Sequence, residues 1–408
     1  MTVMRVNVWD YGARPGEDCT DAFKRAIDDC TNNPGGGHVI MPYGDSGDYY
    51  VQFKSGYPLG PVGGYMGIEL KSNVFIHGDE STPITSLPAD MGGLPGQLIG
   101  VRIDSDTEPG IQNCGLIGVT LRNDLGNTAM NNNYHAIMFH NGRYKTNPAE
   151  IRGVLLEGVK ILGTVWGDGI YFGSKVSDVV VKRASVEGVQ RHGICLASEG
   201  IGRSNYLIED VNMGDVLGGH PFHIESGYNR DELQKALDRG ASYEELCAAA
   251  GWVQGVTLRR CHFSGTFAFN GVAEWHMEEC TSKPRAIDGT GGGFSVTNSP
   301  RGNIERCTFH ARPTSDSSHG KLPTFIGAAS DDMAISDSLL FMERCADGAL
   351  PSAAIRSRQY GNPYPGWPDR VSVVNSALVT DAGIPMVNAH SGTEWDLSGL
   401  RHAELPVL

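Results

Sequence analysis

The constraint that most narrows the fold is a short segment that recurs. His135-Ala-Ile-Met-Phe139, Asp168-Gly-Ile-Tyr-Phe172, His192-Gly-Ile-Cys-Leu196 and His220-Pro-Phe-His-Ile224 share one shape, at offsets of 33, 24 and 28 residues. Each opens on a polar, titratable residue, continues with a small residue or proline, and then alternates apolar with variable. Recurrence at roughly 20–50 residues is the mark of a stacked-repeat chain. Other β-type runs lie between the copies, such as Val159-Lys-Ile161, Asp178-Val-Val-Val-Lys182 and Tyr206-Leu-Ile-Glu-Asp210. Several strands per repeat, with no helix-length connector, predict an all-β coil of parallel strands, with successive coils ~4.8 Å apart. In such a coil the leading residues His135, Asp168, His192 and His220 form one column.

Composition agrees with a large buried core and many turns. Of 408 residues, 40% are hydrophobic and 54 are glycine, with no low-complexity run. A net charge of −14 argues against a reader of nucleic-acid backbones, which needs clustered Lys and Arg. No run reaches the ~18 apolar residues of a membrane span, and Met1-Thr-Val-Met-Arg-Val-Asn lacks the apolar core of a signal peptide. The expected setting is a virion-associated or extracellular one reached without a visible signal peptide, with the cytoplasm as the alternative. Of nine cysteines, Cys261, Cys280, Cys307 and Cys345 each follow a charged residue in a strand-like context. They are expected to be small buried residues stacked in successive coils, not disulfides or a zinc site.

In chain order, Thr20 or Asp21 is placed to cap a helix with Ala22, Phe23, Ala26 and Ile27 on one face, followed by the strand Val39-Ile40-Met41. Such a helix can cover the open end of a solenoid. The stretch Asn7-Val-Trp-Asp-Tyr-Gly-Ala-Arg through Pro34-Gly-Gly-Gly-His-Val-Ile-Met-Pro-Tyr-Gly resembles the N-terminal signature of the pectate-lyase-like superfamily of right-handed parallel β-helices. The resemblance implies a right-handed, single-stranded parallel β-helix. It also implies an activity on polysaccharide or oligosaccharide, in a group that includes glycosidases, lyases, fructan-cleaving enzymes and trimeric phage tailspikes. We therefore expect a cap over residues 1–52, a β-helix of about ten or eleven coils over 53–390, and a tail over 391–408. A helical insertion is expected near 229–250, where two runs each open on a capping residue and close on glycine.

The column carries the expected chemistry. Cleavage of a glycosidic bond needs one carboxylic acid at the leaving oxygen, a second carboxylate, and aromatic faces for the ring. Asp168, Glu225, His192 and His220 are the catalytic candidates, with Asp168 and Glu225 two coils apart. His135, Trp166, Tyr171, Arg191 and His223 are the substrate-binding candidates. The bland alternative is a stack of turn residues, with His135 solvated. Against the pectin-hydrolysing branch, Gly167-Asp168-Gly169 offers one Asp where a pair is expected, and no Arg-x-Lys follows Arg191-His192-Gly193. A lyase would draw on Arg143, Lys145, Lys182, Arg183, Arg191 or Arg203. Asp104 and Asp106 make a weak calcium pair. His220 and His223 are expected on opposite faces of a strand, which disfavours zinc, and Glu274 falls on the inward column of the extended alignment. No metal or cofactor is expected. The leading reading is a glycoside hydrolase acting on a neutral or weakly charged glycan, with the resemblance implying a tailspike-like homotrimer; the alternatives are a lyase, a fructan transferase and a non-catalytic glycan-binding or structural appendage.

Overall fold

A computed structural model describes residues 2–405 apart from 44–46, 58–63, 88–95, 104–108, 123–133, 142–148, 164–166, 198–203, 227–229, 315–325, 330–331, 352, 358–368 and 389–392. The chain divides into two compact units, Met1–Ala197 with Leu217–Gly219, and Ser198–Val216 with His220–Leu408. Both are built the same way, from coils of three short strands, each strand pairing in parallel with its counterpart one coil on. In the first unit the first face runs from Met4–Asn7 and Gly37–Ile40 through Val74–His77 to Val176–Lys182. In the second unit it runs from Tyr206–Glu209 to Thr393–Asp396. One antiparallel pair, Lys54–Tyr57 with Gly64–Glu69, starts the third face of the first unit.

These first faces hold six and seven strands, more than the ten or eleven coils expected in all. The difference arises at the chain's two ends. Met4–Asn7 and Gly37–Ile40, assigned to the cap, are ordinary rungs. Thr393–Asp396 and Leu400–Leu405, inside the stretch read as a tail, pair in parallel with Asp369–Val374 and Ser376–Asp381.

The corner between the first and second faces explains why the sequence coils. Its residue adopts the left-handed conformation in nine consecutive coils, with φ between 49° and 63° at Gly118, Gly158 and Arg183 in the first unit, and at Asp210, Arg260, Glu279, Arg306, Asp337 and Asn375 in the second. That conformation costs a non-glycine residue roughly 1–2 kcal/mol. It is offset because the corner N–H reaches the next coil's carbonyl, as from Arg260 to Glu278 at 2.9 Å and from Glu279 to Glu305 at 3.0 Å. The charged residues before Cys261, Cys280 and Cys307 are three of these corners. Their side chains form an exposed ladder in which Arg260 grips Asp210 at 2.6 and 3.0 Å. Such exposed pairs add little individually.

Cys261, Cys280 and Cys307 stack behind three of the corners, buried and unpaired by disulfides. Cys345 does not join them; the column continues through Ser338 and Ser376. The Cys307 N–H donates to Ser338 Oγ at 3.0 Å, and the Ser338 N–H to Ser376 Oγ at 3.1 Å. The position thus selects a small side chain able to accept a hydrogen bond, and Cys345 shares the local sequence without the register.

Helix α1, Thr20–Asn32, buries Ala22, Phe23, Ala26, Ile27 and Cys30 against the first strands, as its pattern requires. Its cap differs from expectation. Cys19 occupies the cap position without a side-chain bond, and the Asp18 carboxylate takes the Thr20 N–H at 3.0 Å. The insertion in the second unit forms α2, Arg230–Asp238, and α3, Tyr243–Ala250. Ser242 and Glu245 close a reciprocal capping box on α3, and Gly251 ends it at φ 78°. Leu233, Ala236, Leu246, Cys247, Ala250 and Trp252 bury one another with Ala273 of the coil. No helix among the described residues is long and apolar enough to cross a membrane.

Candidate active site

In the first unit the third face comprises Gly64–Glu69, Gly96–Ile103, Tyr134–Asn141, Ile170–Phe172 and Ile194–Leu196. Ile137 pairs with Ile170 and Ile170 with Ile194, so His135, Asp168 and His192 occupy one position in consecutive coils. The chain turns a corner just before these strands. A Cβ on Gly169 would point at Val186 and Val189 of the core, so the corner, not strict alternation, sets the side-chain directions here. Residues three apart then share a side. The His135 ring stacks on Tyr171, centroids 4.8 Å apart and planes 26° apart. The same corner in the second unit brings His220 and His223 to 5.0 Å, overturning the expectation that they lie on opposite faces.

Asp168 is fully buried, with 0% exposure. Its Oδ1 accepts the His192 N–H at 3.0 Å. Its Oδ2 lies 3.3 Å from His135 Nδ1 and 3.6 Å from Arg191 Nη1, and no hydrogen bond reaches it among the described residues. The reason is visible at His135, whose Nδ1 accepts the Asp168 backbone N–H at 3.2 Å and so presents a lone pair there. A buried carboxylate is tolerable only when paired, and leaving an acceptor unmet is costly. His135, itself 4% exposed, is not solvated as expected, whereas the bonds from the Asp168 N–H to His135 and from the His192 N–H to Asp168 do link the corner residues as a stack. Outward-facing Cys195 and Met138 are buried as well, at 0% and 9%. Tyr171 is half-buried, and the Arg191 side chain is 28% exposed.

The column has a further member that the titratable-residue pattern misses. Gln97 pairs in register with His135 one coil earlier, is fully buried, and has no hydrogen bond on either amide atom among the described residues. Each unmet group of that kind costs about 1–3 kcal/mol. Its signal is partial: Gln97-Leu-Ile-Gly-Val101 keeps the alternation of the repeat, with an amide in the leading place and Leu98 where the other copies have a small residue or proline.

His140 lies edge-on to Tyr171 at 6.2 Å. Burial first, and then the neighbouring His135, push its pKa down from 6.5 to about 4. The native state refuses a proton that the unfolded chain accepts, so stability is full above pH 6.5 and falls as pH drops toward 4. The expected loss at pH 4 relative to pH 7 is about 3 kcal/mol. Urea unfolding of wild type and His140→Leu at both values checks it, the variant lacking that share of the slope.

In the second unit, His220 Nδ1–H donates to the Thr266 carbonyl at 2.8 Å. Exposed Glu225 pairs in register with Asn270, and Asn270 with Thr297. Glu274 is not on that face. It belongs to the strand Val272–Glu278 of the first face, at φ 55°, 3.8 Å from Arg301. Asp168 and Glu225 thus belong to different units. Lys182 and Arg183 both bind Glu157 on the first face of the first unit, the former at 3.0 Å. Trp166, Asp104, Asp106, Arg143, Lys145 and Arg203 lie outside the described residues.

No protein-family model matches the chain, and no curated protein sequence does. Solved structures do. The A-module of the Azotobacter vinelandii mannuronan C-5 epimerase AlgE6 superposes with TM-score 0.62 at 15% identity, over 98% of this chain and 100% of that one. The corresponding AlgE4 module gives 0.60 at 14%, over 98% and 97%. The chain has the right-handed parallel β-helix fold. DFA-IIIase from Arthrobacter chlorophenolicus A6, solved with GF2, gives 0.56 at 13% over the whole of both chains. At these identities the likeness is one of β-helix scaffold, on which several chemistries are built.

Proposed function

We propose that this β-helix is a polysaccharide-processing enzyme whose reaction centre is the outer third face of the first unit. The observation that carries it is Asp168 Oδ2, fully buried, unbonded, and framed by His135 and Arg191. Oδ1 serves the scaffold by accepting the His192 N–H, while Oδ2, with no hydrogen bond among the described residues, is left with the open lone pair that a group exchanging a proton with a bound ligand needs. Tyr171 lies over His135 and offers an aromatic surface for a sugar ring. The neighbours with the higher TM-scores include carbohydrate-active proteins, which supports a glycan as substrate.

Glycoside hydrolysis is the reaction we favour, with Asp168 as one of the two carboxylates that it requires. β-Elimination is the second reading, favoured by one observation. Asp168 is the one carboxylate in the Gln97–His135–Asp168–His192 column, and its neighbours Arg191, His135 and Tyr171 are the cation and bases a lyase uses. A panel of neutral and uronate glycans separates them. New reducing ends without ultraviolet absorbance from an unsaturated sugar are expected; absorbance would move the assignment to elimination. Silence across neutral and uronate polymers would favour the non-catalytic appendage. The virion-associated setting and the homotrimer belong to the same proposal and rest on the sequence resemblance.

A further inference from the structure

Gln97 has no part in the chemistry above, yet it is the most frustrated side chain of the column. Both amide atoms are buried and unbonded among the described residues, and Asp168 Oδ2 is unbonded too. The amide lies on the outer side of its strand, because a Cβ built on Gly100 would come 3.0 Å from Gln97 Cδ and 3.1 Å from its Oε1. Glycine at position 100 is what leaves the amide its room. Register places Gln97 next to His135 and His135 next to Asp168, so Gln97 and Asp168 stand two coils apart, roughly 10 Å between backbones.

We infer that Gln97 is a hydroxyl-binding residue for a sugar ring, in a subsite adjacent to the one at Asp168. A side-chain amide offers two donors and an acceptor, which a pair of neighbouring ring hydroxyls meets in both directions. A hydroxyl on the next ring donates to Asp168 Oδ2. The Gln97 amide can meet a neutral or a carboxylated ring, but a carboxylated ring at the adjoining subsite would set an anion against the buried Asp168 carboxylate, which selects a neutral sugar there. The unmet amide is then the free-state cost of a site completed by its ligand. This deepens the enzymatic reading and rests on it.

Steady-state kinetics and thermal unfolding of Gln97→Leu test the inference, using the neutral oligosaccharide that wild type turns over. KM is expected to rise at least about tenfold with kcat little changed, while the melting temperature stays level or rises, because an unmet amide has been removed. Gln97→Met, of the same length, guards against a packing failure. An unchanged KM with a melting temperature lower by several degrees would overturn the inference and make Gln97 structural. Turnover of uronate polymers alone would overturn the neutral assignment while leaving the enzyme. No turnover by wild type on any glycan would defeat the enzymatic reading itself, a result distinct from both.

Discussion

Asp168→Asn is expected to cut turnover by about 10²–10⁴-fold, the usual contribution of a positioned acid–base group. Asparagine keeps the oxygen that accepts the His192 N–H, so the corner should hold its shape. It removes the charge beside His135 and Arg191 and replaces an open lone pair with an amide group. Arg191 retains partial exposure and can rehydrate, so the stability change should stay within about 2 kcal/mol. Kinetics with circular dichroism melts make the check. Full activity in the variant would reduce the column to scaffold, and a collapse of the fold would assign Asp168 to folding.

The second large effect belongs to the core of the second unit. Phe294 is fully buried, stacked on Phe267 with centroids 4.3 Å apart and planes 17° apart, and edge-on to Phe269 at 4.9 Å and Trp275 at 5.8 Å. Strand Phe267–Asn270 contributes two of these rings and strand Val272–Glu278 the third, so truncation opens a cavity that no single side chain can fill. Phe294→Ala should cost about 3–5 kcal/mol, with the lost ring pairs contributing at the upper end. Urea unfolding should register it as a lower midpoint. A loss below about 1 kcal/mol would mean that the coils above and below relax into the space.

Much of the fold was legible because a β-helix repeats its demands. Corner residues, the small column behind them and the alternating strands recur with each coil, so the pattern shows even where spacing varies from 24 to 33 residues. What was misread follows from register, which local sequence carries weakly. Cys345 has the context of Cys307 but sits elsewhere, while Ser338, with different chemistry and the same size, takes the column position. Glu274 was aligned to the wrong face because a corner intervenes after Asn270. His220 and His223 came together because the corner breaks period-two alternation.

The candidate site was legible in part for the same reason. A polar leading residue in each copy pointed to His135, Asp168 and His192, which the first unit does bring together. Their burial was not legible, since the sequence does not say that outward-facing neighbours such as Cys195 are covered. Gln97 was missed because attention to titratable groups passes over an amide, although an amide in a buried corner is as demanding of partners as a carboxylate.

The most direct test of the central claim is a structure of Asp168→Asn with the bound oligosaccharide that wild type cleaves. Sugar rings are expected over Tyr171, with one hydroxyl at residue 168 and the next ring's hydroxyls on the Gln97 amide. An oligosaccharide seated on any other surface, with this face empty and Asp168 still unbonded, would contradict it.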